Sequence, residues 1–239
     1  MSLEGHRVAV TGAAQGLGAA VARAFADAGA QVLALDRDAD GLARLAEETG
    51  AAALPCDLAA REGQDTAAGR LAAFAPATLV HNAAILKPAP FAETGPDLWD
   101  ATMGVGIGAG YRLARACWPA MDAAGGGALI FVSSRSGIEG FAEESAYCAA
   151  KHALEGLSKC LALEGADRGI LSCTITPGMY MRTPMSEANY PPELKAKWVE
   201  PSRLAPAFLH IATTRDPALS GQRLDAWSLS QSLSQEIAR

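Results

Sequence analysis

The sequence predicts a doubly wound α/β fold, a parallel sheet of about seven strands with helices on both faces. Three observations predict it. Short β-branched apolar runs alternate with longer helical stretches along the whole chain. The strand-like runs are apolar at nearly every position, as strands covered on both sides must be. No linker, repeat or low-complexity segment breaks the alternation, so residues 1–239 are expected to form one domain.

The elements follow in order. Arg7 to Thr11 reads as the first strand, and Gly16 to Gly29 as an alanine-rich helix. Gln31 to Asp36 is the second strand, and Asp38 to Thr49 a helix ending at Gly50. A third strand lies within Ala51 to Leu58, and a weaker helix within Glu62 to Phe74, closed by Pro76. Thr78 to Asn82 is the fourth strand, followed by a proline-rich loop and one long helix from about Asp97 to Met121. Ala128 to Ser134 is the fifth strand, Ser145 to Asp167 a long helix, and Ile170 to Ile175 the sixth strand. A polar stretch runs to about Pro201. A helix from Arg203 to Thr213 and a strand from Gln222 to Trp227 complete the pattern.

Bulk properties narrow the partners. Half of the 239 residues are apolar, enough for a sizeable core. The net charge is −6, and the 19% of charged residues show no basic block that would attract nucleic acid or anionic lipid. No apolar run is long enough to cross a bilayer, and no signal peptide precedes the first strand. The five cysteines (Cys56, Cys117, Cys148, Cys160, Cys173) lack ligand spacing, which suggests reduced thiols in a cytoplasmic protein and no metal site. Cys148 stands beside a tyrosine discussed below and reads as a small buried residue.

In such a sheet, ligands bind beyond the carboxyl ends of the strands, where the strand order reverses. The first strand runs into Thr11-Gly12-Ala13-Ala14-Gln15-Gly16-Leu17-Gly18 and then a helix. Glycines let the backbone approach a pyrophosphate, and the helix start offers free N–H groups. Asp36, 18 residues after Gly18, ends the second strand, where a carboxylate accepts both ribose hydroxyls of an adenosine and repels a 2′-phosphate. NAD is therefore expected over NADP, with the neighbouring Arg37 as the residue that could admit a phosphate. A second glycine-rich run, Gly104 to Gly110, lies inside a helical stretch and reads as tight helix packing.

Tyr147 and Lys151 are four residues apart on a helix and share a face. A tyrosine normally titrates near pH ~10, and a nearby ammonium stabilises its phenolate. Ser134, at the end of the fifth strand, is placed to hydrogen-bond a substrate oxygen.

With these residues in this order the chain resembles the short-chain dehydrogenase/reductase family, in its compact single-domain, Rossmann-type branch. The resemblance covers essentially the whole length. Thr11-Gly12-x-x-x-Gly16-x-Gly18 matches the cofactor turn, Asp57-Leu58 the adenine-contacting pair, and His81-Asn82-Ala83-Ala84 the end of the fourth strand. Ser133-Ser134 with Tyr147-x-x-x-Lys151 matches the catalytic signature, and Pro177-Gly178 the turn beside the nicotinamide. The resemblance implies Tyr147 as acid/base, Ser134 as the group that positions the reacting oxygen, and Lys151 as the group that lowers the tyrosine pKa and holds the nicotinamide ribose. It implies cofactor contacts from Gly12, Gln15, Gly16, Leu17, Gly18, Asp36, Asp57, Leu58, Asn82, Ala83, Tyr147, Lys151, Pro177, Gly178 and Thr183, and a homotetramer, or else a dimer, built through the two long helices.

The sequence departs from the family in places. Gly106 stands where the family usually has an asparagine holding a water in the proton relay past lysine. His81 and Ala84 replace the usual asparagine and glycine around Asn82, and Thr183 comes one residue late after Pro177-Gly178. The C-terminal Gly221-Gln-Arg-Leu-Asp-Ala-Trp lacks the usual Val-Asp-Gly-Gly. The substrate loop is expected over about 179–200, lined by Tyr180, Met181, Met185, Tyr190 and Trp198. Arg135, Glu139 and Glu143 read as solvated loop charges, with Arg135 as a carboxylate ligand if it points inward. The expected activity is hydride transfer between NAD(H) and a secondary alcohol or ketone of a small molecule: a polyol, cyclic alcohol or hydroxy acid. An NADPH-dependent carbonyl or 3-oxoacyl reductase, and a catalytically weak nucleotide-binding regulator, are the alternatives.

Overall fold

A computed structural model describes residues 3–237; the first two and last two residues of the expected 1–239 domain lie outside the described residues. Seven strands form one sheet: β1 (Arg7–Thr11), β2 (Gln31–Asp36), β3 (Ala52–Pro55), β4 (Thr78–His81), β5 (Gly127–Val132), β6 (Ile170–Thr176) and β7 (Arg223–Asp225). Their order is β3-β2-β1-β4-β5-β6-β7, and every pairing is parallel. Nine helices cover it among the described residues: α1 (Gly16–Asp27), α2 (Ala39–Thr49), α3 (Arg61–Phe74), α4 (Pro96–Met103), α5 (Ala109–Ala123), α6 (Ser145–Gly165), α7 (Pro184–Asn189), α8 (Ala205–Thr214) and α9 (Ala226–Ile237).

The period-2 geometry of the strands divides the core in two. Val8 and Val10 of β1 face one cluster with Phe25 of α1, Leu42 of α2 and Phe208 of α8. Ala9, between them, faces the other, with Leu71 of α3, Leu113 of α5 and Leu154 of α6. Both faces are sealed, which is why the strand runs are apolar throughout. The chain turns back between β1 and β4, whose ends register at Thr11 and His81. That reversal opens the crevice in which the candidate site lies.

The differences from expectation have identifiable causes. The long helix over 97–121 is two helices, α4 and α5, joined by a widened π turn at Gly104–Gly108. The glycines there do serve close packing: a Cβ on Gly106 would lie 2.9 Å from that of Ala150 on α6. The fifth strand stops at Val132, before Ser133 and Ser134. The last strand stops at Asp225 because its carboxylate accepts from Ser228 N at 2.8 Å and starts α9, a helix absent from the sequence expectation. Buried Ser230 on α9 accepts from Ala207 N at 3.1 Å and donates to Leu204 O at 3.1 Å, tying α9 to the start of α8. Among the described residues no helix is long and apolar enough to cross a membrane.

Candidate active site

A cavity of about 610 Å³ opens at the carboxyl ends of β1, β2, β4, β5 and β6. One end is the glycine turn. Gln15 precedes α1 without a side-chain cap, and the first intrahelical bond runs from Ala19 N to Gln15 O at 3.2 Å. The N–H groups of the first turn therefore have no intrahelical acceptor, and Gly16 and Leu17 of that turn line the cavity, a place suited to an anionic pyrophosphate. Gly18 sits on the other side of the turn. A Cβ there would come 2.0 Å from the Gly12 carbonyl oxygen, so only glycine lets α1 pack this close to β1.

Asp36, at the end of β2, is fixed by two backbone donors: Ala14 N to Oδ2 and Asp38 N to Oδ1, each at 3.0 Å. Asp38, not Asp36, caps α2 by accepting from Gly41 N. Asp36 and Arg37 both line the cavity, as do Asp57 and Leu58. Cys56, between them, has its thiol pushed up to about 11 by burial and by the charges of Asp36 and Asp57.

Asn82 and Ala83 leave β4 at the cavity floor. Their N–H groups both donate to Thr11 Oγ1 at 3.0 Å, and Asn82 Nδ2 donates to the carbonyls of Thr11 and Gly12 at 3.1 Å each. Asn82 thus pins the glycine turn to the sheet. His81, buried beneath, carries a pKa lowered to about 4, chiefly by burial.

The middle of the cavity is walled by Ser134, Tyr147 and Lys151. Lys151 is buried, its Nζ donates to Val132 O at 2.6 Å, and it lies 5.4 Å from the Tyr147 ring centroid. Burial lowers its pKa to about 8, against the pull of Glu155 one turn further along α6. Burial raises the Tyr147 phenol well above its ordinary value; Tyr190, Glu144 and Cys148 add to that, and a hydrogen bond with Ser134 opposes it. The direction is opposite to the lowering expected from Lys151: desolvation of the phenolate is the largest effect.

Pro177 and Gly178 follow β6 into the cavity wall. Thr183 also lies there, buried, with its methyl group 3.3 Å from where a Gly16 Cβ would stand, while its hydroxyl caps α7 by accepting from Ser186 N. The extra residue after Pro177-Gly178 does not displace it. Tyr180, Met181, Met185 and Tyr190 line the substrate end, and the Tyr180 and Tyr190 rings meet edge to face at 5.7 Å. Trp198 lies outside the cavity wall, against Lys195. Arg135 lines the rim but is paired with Glu139 at 2.7 Å, and both are largely exposed. Glu143 is exposed, in left-handed backbone at φ 65°.

Sequence reasoning missed four polar residues here. Ser136 and Glu144 stand in the wall beside Ser134. Arg223 donates from Nη2 to Ser134 O at 3.1 Å and pairs with the buried Glu155 at 3.3 Å. Glu155 also accepts from Ser133 and Thr174. Its place on the same helical face as Tyr147 and Lys151 was the available signal. Among the described residues no group of three His, Cys, Asp or Glu side chains could hold a metal ion.

Four likenesses bear on this arrangement. The family profile described as short chain dehydrogenase matches residues 6–193. A galactitol 2-dehydrogenase (L-tagatose-forming) of Cereibacter sphaeroides is 34% identical over 235 residues, 92% of each chain. A D-threitol dehydrogenase of Mycolicibacterium smegmatis is 35% identical over 182 residues, 73% of this chain and 70% of that one. A candidate NAD(P)-dependent gluconate 5-dehydrogenase from Beutenbergia cavernae, solved with NADP at low occupancy, superposes with a TM-score of 0.87 at 33% identity, covering 95% of this chain and 98% of that one.

Proposed function

The chain belongs to the short-chain dehydrogenase family, and on that premise we propose that it oxidises a secondary hydroxyl of a small polyol, or reduces the matching ketone, with NAD(H). The observation that carries the reading is the convergence of Ser134, Tyr147 and Lys151 on one cavity that also holds the glycine turn and Asp36. When bound, the cofactor supplies the hydride chemistry and a positive ring beside the phenol. Tyr147 exchanges the proton of the reacting oxygen, and Ser134 holds that oxygen by hydrogen bond. Lys151 orients the ribose and adds its charge. Held up by burial, Tyr147 is ready as the proton donor for ketone reduction. Its use as a base relies on the two neighbouring positive charges to stabilise the phenolate.

The cofactor contacts are proposed from Gly12, Gln15, Gly16, Leu17, Asp36, Asp57, Leu58, Asn82, Ala83, Pro177, Gly178 and Thr183, whereas Gly18, buried outside the cavity wall, serves the packing of α1 on β1 instead of the contact expected of it. Asp36 favours NAD, because a 2′-phosphate would meet its carboxylate. Arg37 in the same wall supports a second reading with NADP. We also assign Trp99, Tyr111 and Leu163, exposed at 38%, 50% and 81% on α4, α5 and α6, to the interface of a homotetramer or dimer. The whole reaction is assigned to one domain acting in the cytoplasm.

The test is reduction of NAD⁺ and NADP⁺ by the purified protein over a panel of polyols, cyclic alcohols and hydroxy acids, beside Tyr147→Phe. Polyol-dependent NAD⁺ reduction that disappears in the Phe variant is the expected result. Full activity in Tyr147→Phe would overturn the reading.

A further inference from the structure

The polar wall of the cavity continues past Ser134. Ser134 Oγ donates to Ser136 Oγ at 3.3 Å, and Ser136 Oγ donates in turn to Glu144 Oε2 at 2.9 Å. Ser136 N also donates to Ser134 Oγ at 3.2 Å, so the two serines are held as a unit. Ser136 is buried, whereas Glu144, just ahead of α6, stays half-buried and lines the cavity. Its charge is felt by both phenols of the wall, since it helps raise Tyr147 and Tyr190.

Charged groups in the cavity differ in how far they are already satisfied. Arg135 is paired with Glu139, and Arg223 with Glu155 and the Ser134 carbonyl. Neither guanidinium is left as an open anion site. Glu144 makes no ion pair among the described residues. A carboxylate accepts at both oxygens, and a serine hydroxyl supplies one proton, so this one retains capacity for further O–H donors. It also repels a second carboxylate brought into the same space.

We infer that Glu144 is a specificity residue: with the reacting oxygen on Ser134 and Tyr147, its carboxylate accepts a hydrogen bond from a second hydroxyl one or two carbons away. The site then selects polyhydroxylated alcohols and rejects hydroxy acids of the same size. The inference rests on the dehydrogenase reading of this cavity. It also reverses the role that a carboxylate-binding Arg135 would have played, because Arg135 is paired with Glu139 while the wall beyond Ser134 presents a carboxylate that makes no ion pair among the described residues.

Three four-carbon probes test it at saturating cofactor: threitol, sec-butanol and α-hydroxybutyrate, with wild type, Glu144→Ala and Glu144→Gln. Glu144→Ala is expected to lower the threitol to sec-butanol ratio of kcat/KM by about tenfold or more, as loss of a charged acceptor does. It is also expected to raise the ratio of α-hydroxybutyrate to sec-butanol. Glu144→Gln keeps the shape and one acceptor, so it should recover part of the threitol preference while still admitting the acid. A threitol to sec-butanol ratio within about twofold of wild type in both variants overturns the inference and leaves the dehydrogenase reading intact. A wild type that reduces cofactor with neither alcohol overturns both.

Discussion

The His81 imidazole donates from Nε2 to the carbonyl oxygen of Gly106 at 2.8 Å, joining the end of β4 to the π turn between α4 and α5. A carbonyl only accepts, so the proton must sit on Nε2 and Nδ1 must accept. The donor to Nδ1 is the Thr11 hydroxyl at 3.1 Å, whose own oxygen receives the N–H groups of Asn82 and Ala83. Every polar atom of this cluster has one assignment, and all of them require a neutral histidine. The resemblance expects an asparagine at Gly106; here the Gly106 carbonyl is held by an imidazole from the sheet.

That assignment makes His81 a source of acid sensitivity. Its folded pKa of about 4 lies below the unfolded value near ~6.5, so the unfolded state binds the extra proton first. Its share of the stability is fully present above pH ~6.5, falls as pH drops from there towards 4, and is constant below. Between pH ~7 and ~5 wild type should lose about 2 kcal/mol more than His81→Gln, which keeps a donor for Gly106 and cannot titrate. Urea unfolding at the two pH values measures this; equal losses in both proteins would refute it.

Gly106→Asn should harm the protein, although it restores the residue usual in the family. The new Cβ would lie 2.9 Å from the Ala150 Cβ on α6, the helix that carries Tyr147 and Lys151. Overpacking of this kind costs about 1–3 kcal/mol, which for a chain of this size lowers Tm by roughly 2–10 °C. A melting scan showing unchanged or higher Tm would contradict it.

How legible these features were in the sequence depends on the range of the interaction behind each. The glycine turn, Asp36 and the Tyr147–Lys151 pair are local patterns tied to one strand or one helical face. The structure brings each into the same cavity wall. The break in the helix at Gly104–Gly108 was hidden because it depends on Ala150 and His81, 25 residues or more away along the chain. The helix α9 was hidden by its serines, poor helix formers that here bond helical carbonyls (Ser232 to Ser228 O, Ser234 to Ser230 O). Glu144 went unnoticed beside Arg135, Glu139 and Glu143 because only folding decides which loop charge turns inward.

Glu155 should set the alkaline limit of activity through Lys151. The ammonium is present below its pKa of about 8 and lost above it, and the Glu155 charge holds that value up against burial. Profiles of kcat/KM against pH report the free enzyme, so the alkaline limb should fall near pH ~8. In Glu155→Gln the limb should move to lower pH, because burial then acts on the ammonium without the opposing carboxylate. Thermal melts of the same variant check that the loss of the Arg223 pair has not unfolded it. A limb that stays in place would show that Lys151 does not define it.

Asp36 offers the sharpest test of cofactor choice. Its two oxygens are committed to Ala14 N and Asp38 N, so the carboxylate cannot swing away from a 2′-phosphate entering between the glycine turn and β2. Replacing it with a neutral side chain removes a like-charge contact worth several kcal/mol at close range and leaves Arg37 free to act on the phosphate. Asp36→Asn preserves the shape but presents an N–H₂ to one of the two backbone donors, so some loss of stability accompanies the change. Asp36→Ser avoids that conflict. In both variants the NADP⁺ to NAD⁺ ratio of kcat/KM should rise by at least about tenfold. A wild type that already prefers NADP⁺, with no change on substitution, would place the discrimination at Arg37 instead, because only a guanidinium in direct contact with the phosphate outweighs a fixed carboxylate beside it.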